Sequence, residues 1–241
     1  MPDRRTHRGP HPEDAVLFAP VAVGRLRAAA SDLAWLLDRG YAPTSSFKLV
    51  GDRYQLAARQ RTAVARCVCS AEQAANRQAR RVELQTVKGR TLWLDGYNVL
   101  TTVEAALAGA VLLAASDGTL RDMASMHGSY RKVAETRPAL GHIGEVIEQL
   151  APSQVRWLLD RPVSNSGRLK QIIEEVAAEH GWPWTAELVA DPDPLLAGAT
   201  EIVATADSAI LDRCGRWLNL VRLVIEGRVP DAHILDLQPH G

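Results

Sequence analysis

Five apolar runs of this chain stop on aspartate: TLWLD at residue 95, AVLLAASD at 117, VRWLLD at 160, AELVAD at 191 and EIVATAD at 207. Each run has the length of a short buried strand. In a parallel sheet such strand ends share one edge, so their carboxylates face one crevice. Clustered carboxylates repel one another, and a divalent cation between them cancels the repulsion. Mg²⁺ or Mn²⁺ takes a few carboxylates together with water and substrate phosphate. A cation held this way generates hydroxide, orients it and stabilises the leaving oxygen of a phosphodiester. The expected chemistry is therefore metal-dependent phosphodiester hydrolysis. Asp95, Asp160 and Asp207 are the expected catalytic acids and metal ligands, with Asp212 and Asp117 as further metal candidates. Any one of these acids, taken alone, also reads as a helix cap or a loop residue.

The residues around the acids supply polar groups for a substrate. In WLDGYNVL, Gly96 permits a tight turn and Asn98 offers an amide beside Asp95. In DRPVSNSGRLKQII, Pro162 interrupts the chain, and Ser164, Asn165 and Ser166 then stand at a helix start. Free N–H groups at a helix N-terminus favour anions, so this stretch is an expected phosphate cradle, or else an ordinary cap. Arg59 and Arg66, seven residues apart, are the expected contacts of a basic helical face with RNA. Other chemistries lack their residues. There is no Walker loop, no G-x-G-x-x-G after a strand and no G-x-S-x-G elbow. SDGTL at 116–120 resembles the nucleophile loop of haloacid-dehalogenase phosphatases, but the nucleophile position is Ala115.

Two kinds of element must position these groups. Residues 1–11 are expected to be a loosely attached tail. Apolar spacing predicts helices over 21–38, about 53–66 and about 71–82, with residues 41–53 as a connection. After Gly89 the pattern changes to short apolar runs, the last of them LVRLVIE, alternating with helical candidates near 98–108, 129–150, 166–180 and 208–214. That alternation predicts a parallel sheet with helices on its faces. The expected division is 1–89, a basic all-helical region, and 90–241, an α/β domain.

Charge follows the same division. The 241 residues balance 28 Lys and Arg against 28 Asp and Glu, but residues 1–90 hold 16 of the former and only 8 of the latter. Either the first region is a basic surface for nucleic acid beside an acidic cation site, or the two halves attract each other. No apolar run approaches the roughly 20 residues that cross a bilayer, and the first residues do not form a secretory signal, so a cytoplasmic protein is expected. Cys67, Cys69 and Cys214 lack a paired zinc spacing and read as reduced structural thiols.

WLDGYNVL and IVATADSAILD make about residues 90–225 similar to the PIN/NYN-like nuclease superfamily. The resemblance implies a PIN-like sheet, Mg²⁺ or Mn²⁺, and RNA as partner. It makes Asp95, Asp207 and Asp212 metal-site acids, Asn98 a polar neighbour and Thr205 its support, with Asp160 as the third-strand acid. The family often has Ala-Asp at the following helix start, where this chain reads NSGR. HPEDAVLF, DLAWLLDRGY and KLVGDRYQLAARQRTAVAR resemble an uncharacterised prokaryotic family, domain of unknown function 434, which implies the same two-part organisation but no activity. The competing expectation is a non-catalytic RNA-binding or assembly module on the same scaffold. A homo-oligomer is compatible with either.

Overall fold

A computed structural model of the chain describes residues 7–123 and 130–238. Residues 1–6 of the expected tail, and residue 129 of one helical candidate, lie outside them. The first part is helical: α1 (Asp14–Leu17), α2 (Pro20–Asp38), α3 (Pro43–Arg53), α4 (Ala58–Cys67) and α5 (Ala71–Arg80). The helix α3 replaces the connection expected over 41–53. Pro43 stands at the start of that helix, where its missing N–H costs nothing. Gln55, with φ of 48°, turns the chain before α4, so the helix expected from residue 53 begins later.

The remaining described elements alternate: β1 (Thr91–Asp95), α6 (Gly96–Leu107), β2 (Leu112–Ala114), β3 (Leu120–Arg121), α7 (Thr136–Leu150), β4 (Gln154–Asp160), α8 (Ser166–His180), β5 (Trp184–Val189), α9 (Pro192–Ala197), β6 (Ile202–Ala204), α10 (Ser208–Leu211), β7 (Trp217–Leu218), α11 (Leu220–Arg228) and β8 (Ile234–Asp236). LVRLVIE is thus helical, not a strand. Its buried residues Leu220, Val221, Val224 and Ile225 recur at helical spacing.

Five strands form a parallel sheet in the order β5-β4-β1-β6-β7. One face, including Leu92, Leu94, Trp157, Leu159 and Ala204, packs in a core with residues of α6, α7, α8 and α11. The other face, including Leu158, Val203 and Trp217, packs with Leu196, Ile210 and Leu211 from α9 and α10. The strand order reverses between β1 and β6, so their carboxyl ends flank the switch point where such sheets leave a crevice.

The run ending at Asp117 does not join this sheet. Its β2 pairs in parallel with β8 and antiparallel with β3 in a separate three-stranded sheet. Val111, Leu113, Leu235 and Leu237 share a core there with Leu26, Leu33, Val64 and Cys67 of the first helices. The chain leaving α5 also touches the edge of the large sheet, where the Val82 N–H donates to Trp217 O. No helix among the described residues is long and apolar enough to cross a membrane.

Candidate functional site

The Asp95–Gly96 junction is built by close approach. A Cβ on Gly96 would lie 2.6 Å from Leu159 Cδ2 and 2.7 Å from Leu158 O, so only glycine lets α6 start against the end of β4. Asp95 is thereby buried at the strand end. Thr205 Oγ1 donates to Asp95 Oδ2 at 2.7 Å and accepts the Asp207 N–H at 3.0 Å. Asn98 Oδ1 accepts the Ala206 N–H at 2.9 Å. These bonds fasten the end of β1 to the end of β6 across the switch point.

The other acids stand around this junction. Asp207 precedes α10 and caps it, its Oδ1 accepting from the Ala209 and Ile210 N–H groups at 2.7 and 3.2 Å. Asp160 ends β4 and is half-buried. Asp191 caps α9 through the Asp193 N–H at 3.1 Å. Asp193, in the first turn of α9, was not among the residues expected from sequence.

The charges of these groups are felt mutually. Burial, then Asp207 and Asp193, push the Asp95 carboxyl up to about 7, although the Thr205 hydrogen bond opposes them. Burial, then Asp207, Asp191 and Asp160, raise Asp193. Burial and Asp191 raise Asp160. No salt bridge joins any of these five acids to a basic side chain among the described residues. Such a set fits a hard divalent cation in kind, since it offers carboxylate oxygen donors whose mutual repulsion is offset only in part, by Arg213 at Asp193 and by hydrogen bonds at Asp95. As they stand, no three His, Cys, Asp or Glu side chains among the described residues lie close enough together to hold an ion.

Two expected metal candidates lie elsewhere and are already neutralised. Asp117, in the turn between β2 and β3, binds Arg77 Nη1 at 2.6 Å, Arg121 Nη2 and the Thr119 hydroxyl. Burial would raise its carboxyl, but Arg121, Thr119 and Arg77 hold it below the usual carboxylate range. Asp212 accepts Arg77 Nε at 2.7 Å. Both acids follow a predicted strand or helix turn, which says nothing of the arginine that meets them.

The expected RNA contacts are likewise engaged within the protein. Arg59 binds Asp14 with both Nε and Nη2, the latter at 2.9 Å. Arg66 Nη1 donates to Asp122 O at 2.6 Å and lies 3.8 Å from its carboxylate. Both arginines therefore have internal partners and remain partly exposed. At the start of α8, Asn165 takes φ of 68° and its Nδ2 donates to Tyr130 O at 2.9 Å. Ser166 is buried and its hydroxyl donates to Arg161 O at 3.2 Å, while Ser164 O accepts the Tyr130 N–H at 3.1 Å. Ser164 is exposed at the same sheet edge as Asp160.

Residues 84–223, more than half of the chain, match the family described as Domain of unknown function (DUF5616). The chain belongs to this family. Residues 25–80 match a second, Protein of unknown function (DUF434). Together the matches cover the five-stranded sheet of the DUF5616 part and the helices α3 to α5 with most of α2. An uncharacterised protein of Methanocaldococcus jannaschii is 27% identical over 186 residues, which are 77% of this chain and 88% of that protein. No solved structure gives a significant match. All the crevice acids of this DUF5616 chain lie inside the matched segment.

Proposed function

We propose that the crevice is a divalent-cation site on a PIN-like scaffold and that the protein hydrolyses RNA phosphodiesters. The observation that carries this reading is the group of unpaired carboxylates at the switch point, with Asp95 pushed up to about 7 by burial and by Asp207 and Asp193. Asp95, Asp160, Asp193 and Asp207 would hold Mg²⁺ or Mn²⁺. The bound cation supplies Lewis acidity and a nucleophile at neutral pH. Thr205 keeps one Asp95 oxygen oriented. Asn98 holds the β6 end in register with β1. Ser164 is the candidate for a substrate phosphate, because the Asn165 amide and the Ser166 hydroxyl are engaged locally.

Cleavage of a fluorogenic single-stranded RNA in Mn²⁺ tests the reading. Asp95→Asn and Asp207→Asn should each lower the rate at least about 100-fold, as expected when a group stabilising the transition state is removed. Equal cleavage by wild type and both variants, or none by any, would refute it. The second reading, a non-catalytic RNA-binding or assembly module, is favoured by the capping bonds of Asp207 and Asp191, which give these acids a purely structural use. It is distinguished by RNA binding that is unchanged in Asp95→Asn.

A further inference from the structure

A buried polar cluster on α6 takes no part in the chemistry above. Glu104, on α6, is fully buried. Its Oε1 accepts the hydroxyls of Tyr130 and Thr136, each at 2.6 Å. Its Oε2 accepts Arg8 Nε at 2.6 Å. Arg8 belongs to the segment ahead of α1, so the part of the expected tail within the described residues is anchored 96 positions down the chain. His7 extends the anchor, its Nδ1 lying 2.7 Å from Glu135 Oε1. A buried carboxylate of this kind is tolerable only with a charge partner and filled lone pairs. Arg8 supplies the charge, and the two hydroxyls supply the hydrogen bonds.

Tyr130 carries the effect of this cluster towards the crevice. Its N–H donates to Ser164 O, and its carbonyl accepts Asn165 Nδ2. Its ring leans on Tyr97, with centroids 5.5 Å apart, and Tyr97 directly follows Gly96 against the end of β4. The Tyr130 backbone therefore holds the connection that runs from Asp160 to α8, while its ring rests on Tyr97 of α6. We propose that Arg8 and Glu104 are positioning residues: the N-terminal segment, acting through Glu104 and Tyr130, holds the β4–α8 connection and with it Asp160. This inference rests on the reading of the crevice as the functional site, but it stands on contacts that no cation enters.

Amide hydrogen exchange on the full chain tests it without metal or substrate. Arg8→Ala leaves Glu104 buried without its cation, so exchange across residues 160–168 should rise about tenfold, as for a segment that loses its tertiary hold. Adding Glu104→Gln removes the stranded charge and keeps an oxygen for the two hydroxyls. The double variant should return exchange in 160–168 most of the way to wild type, a coupling that simple loss of stability would not give. If Arg8→Ala does not fold, Tyr130→Phe keeps the ring on Tyr97 and removes the bond to Glu104, and it should raise exchange in the same segment. A rise confined to residues near 8, with 160–168 unchanged, would overturn the proposal, as would a double variant no better than Arg8→Ala. Neither result depends on cation binding, so its failure and that of the crevice reading are separable.

Discussion

At the residue scale, Asp95 combines burial, hydrogen bonds from the Thr205 hydroxyl and the Asn98 backbone, and two like-charged neighbours. Its carboxyl is raised to about 7 from an unfolded value near the usual 3.8. The folded chain therefore binds more protons than the unfolded chain between those values, and the contribution of Asp95 to stability is full below about pH 4 and lost as pH rises through 7. Denaturant titration in the absence of divalent cations should show this fall, on the order of 2–4 kcal/mol at most, and Asp95→Asn should remove most of it. A variant with the same pH slope as wild type would locate the effect elsewhere. Arg59 makes a contrasting case. Because it holds nearly buried Asp14 with two nitrogens, Arg59→Ala should cost about 2–4 kcal/mol of stability in thermal or chemical unfolding. A solvated, RNA-facing arginine would cost almost nothing.

At the scale of elements, the close start of α6 against β4 gives the sharpest test. Gly96→Ala would force a Cβ onto Leu158 O and the Leu159 side chain, and should cost about 1–3 kcal/mol, read as a lower denaturant midpoint. An unchanged midpoint would mean that α6 does not approach β4 so closely. The α/β alternation after Gly89 and the acids at the ends of β1 and β4 were readable in the sequence because strand period and strand-end chemistry are local signals. The helix α8 was readable at 166–180 for the same reason, since its amphipathic spacing and Gly181 stop are local. What local pattern does not carry is which sheet a strand joins. AVLLAASD reads like the other runs, yet β2 finds β8 more than a hundred residues later, and that pairing moves Asp117 into the arginine network. Asp193 is not legible in the sequence because DPDPLL offers two prolines and no apolar period, and its place beside the other acids is visible only once α9 packs against the sheet.

At the scale of the whole molecule, the charge split between the halves has a structural counterpart. Fully buried Arg77 of α5 bridges Asp117 and Asp212, Arg80 donates to the carbonyls of Asp212 and Cys214, and Arg121 donates to Arg66 O. With a hydrophobic core shared between the first helices and the three-stranded sheet, these contacts predict one cooperative unit. The full chain should unfold calorimetrically in a single transition with matching van't Hoff enthalpy; two separated transitions would restore independent modules. The proposed function depends on the crevice acids capturing a divalent cation within this frame. Thermal unfolding with increasing Mn²⁺ measures it directly. At a concentration about 100 times the dissociation constant, linkage stabilises by about 2.7 kcal/mol, or roughly 5–10 °C for a chain of this length. That rise is expected for wild type, and its loss is expected in Asp95→Asn. A wild-type melting temperature indifferent to millimolar Mn²⁺, or an equal rise in the variant, would contradict it.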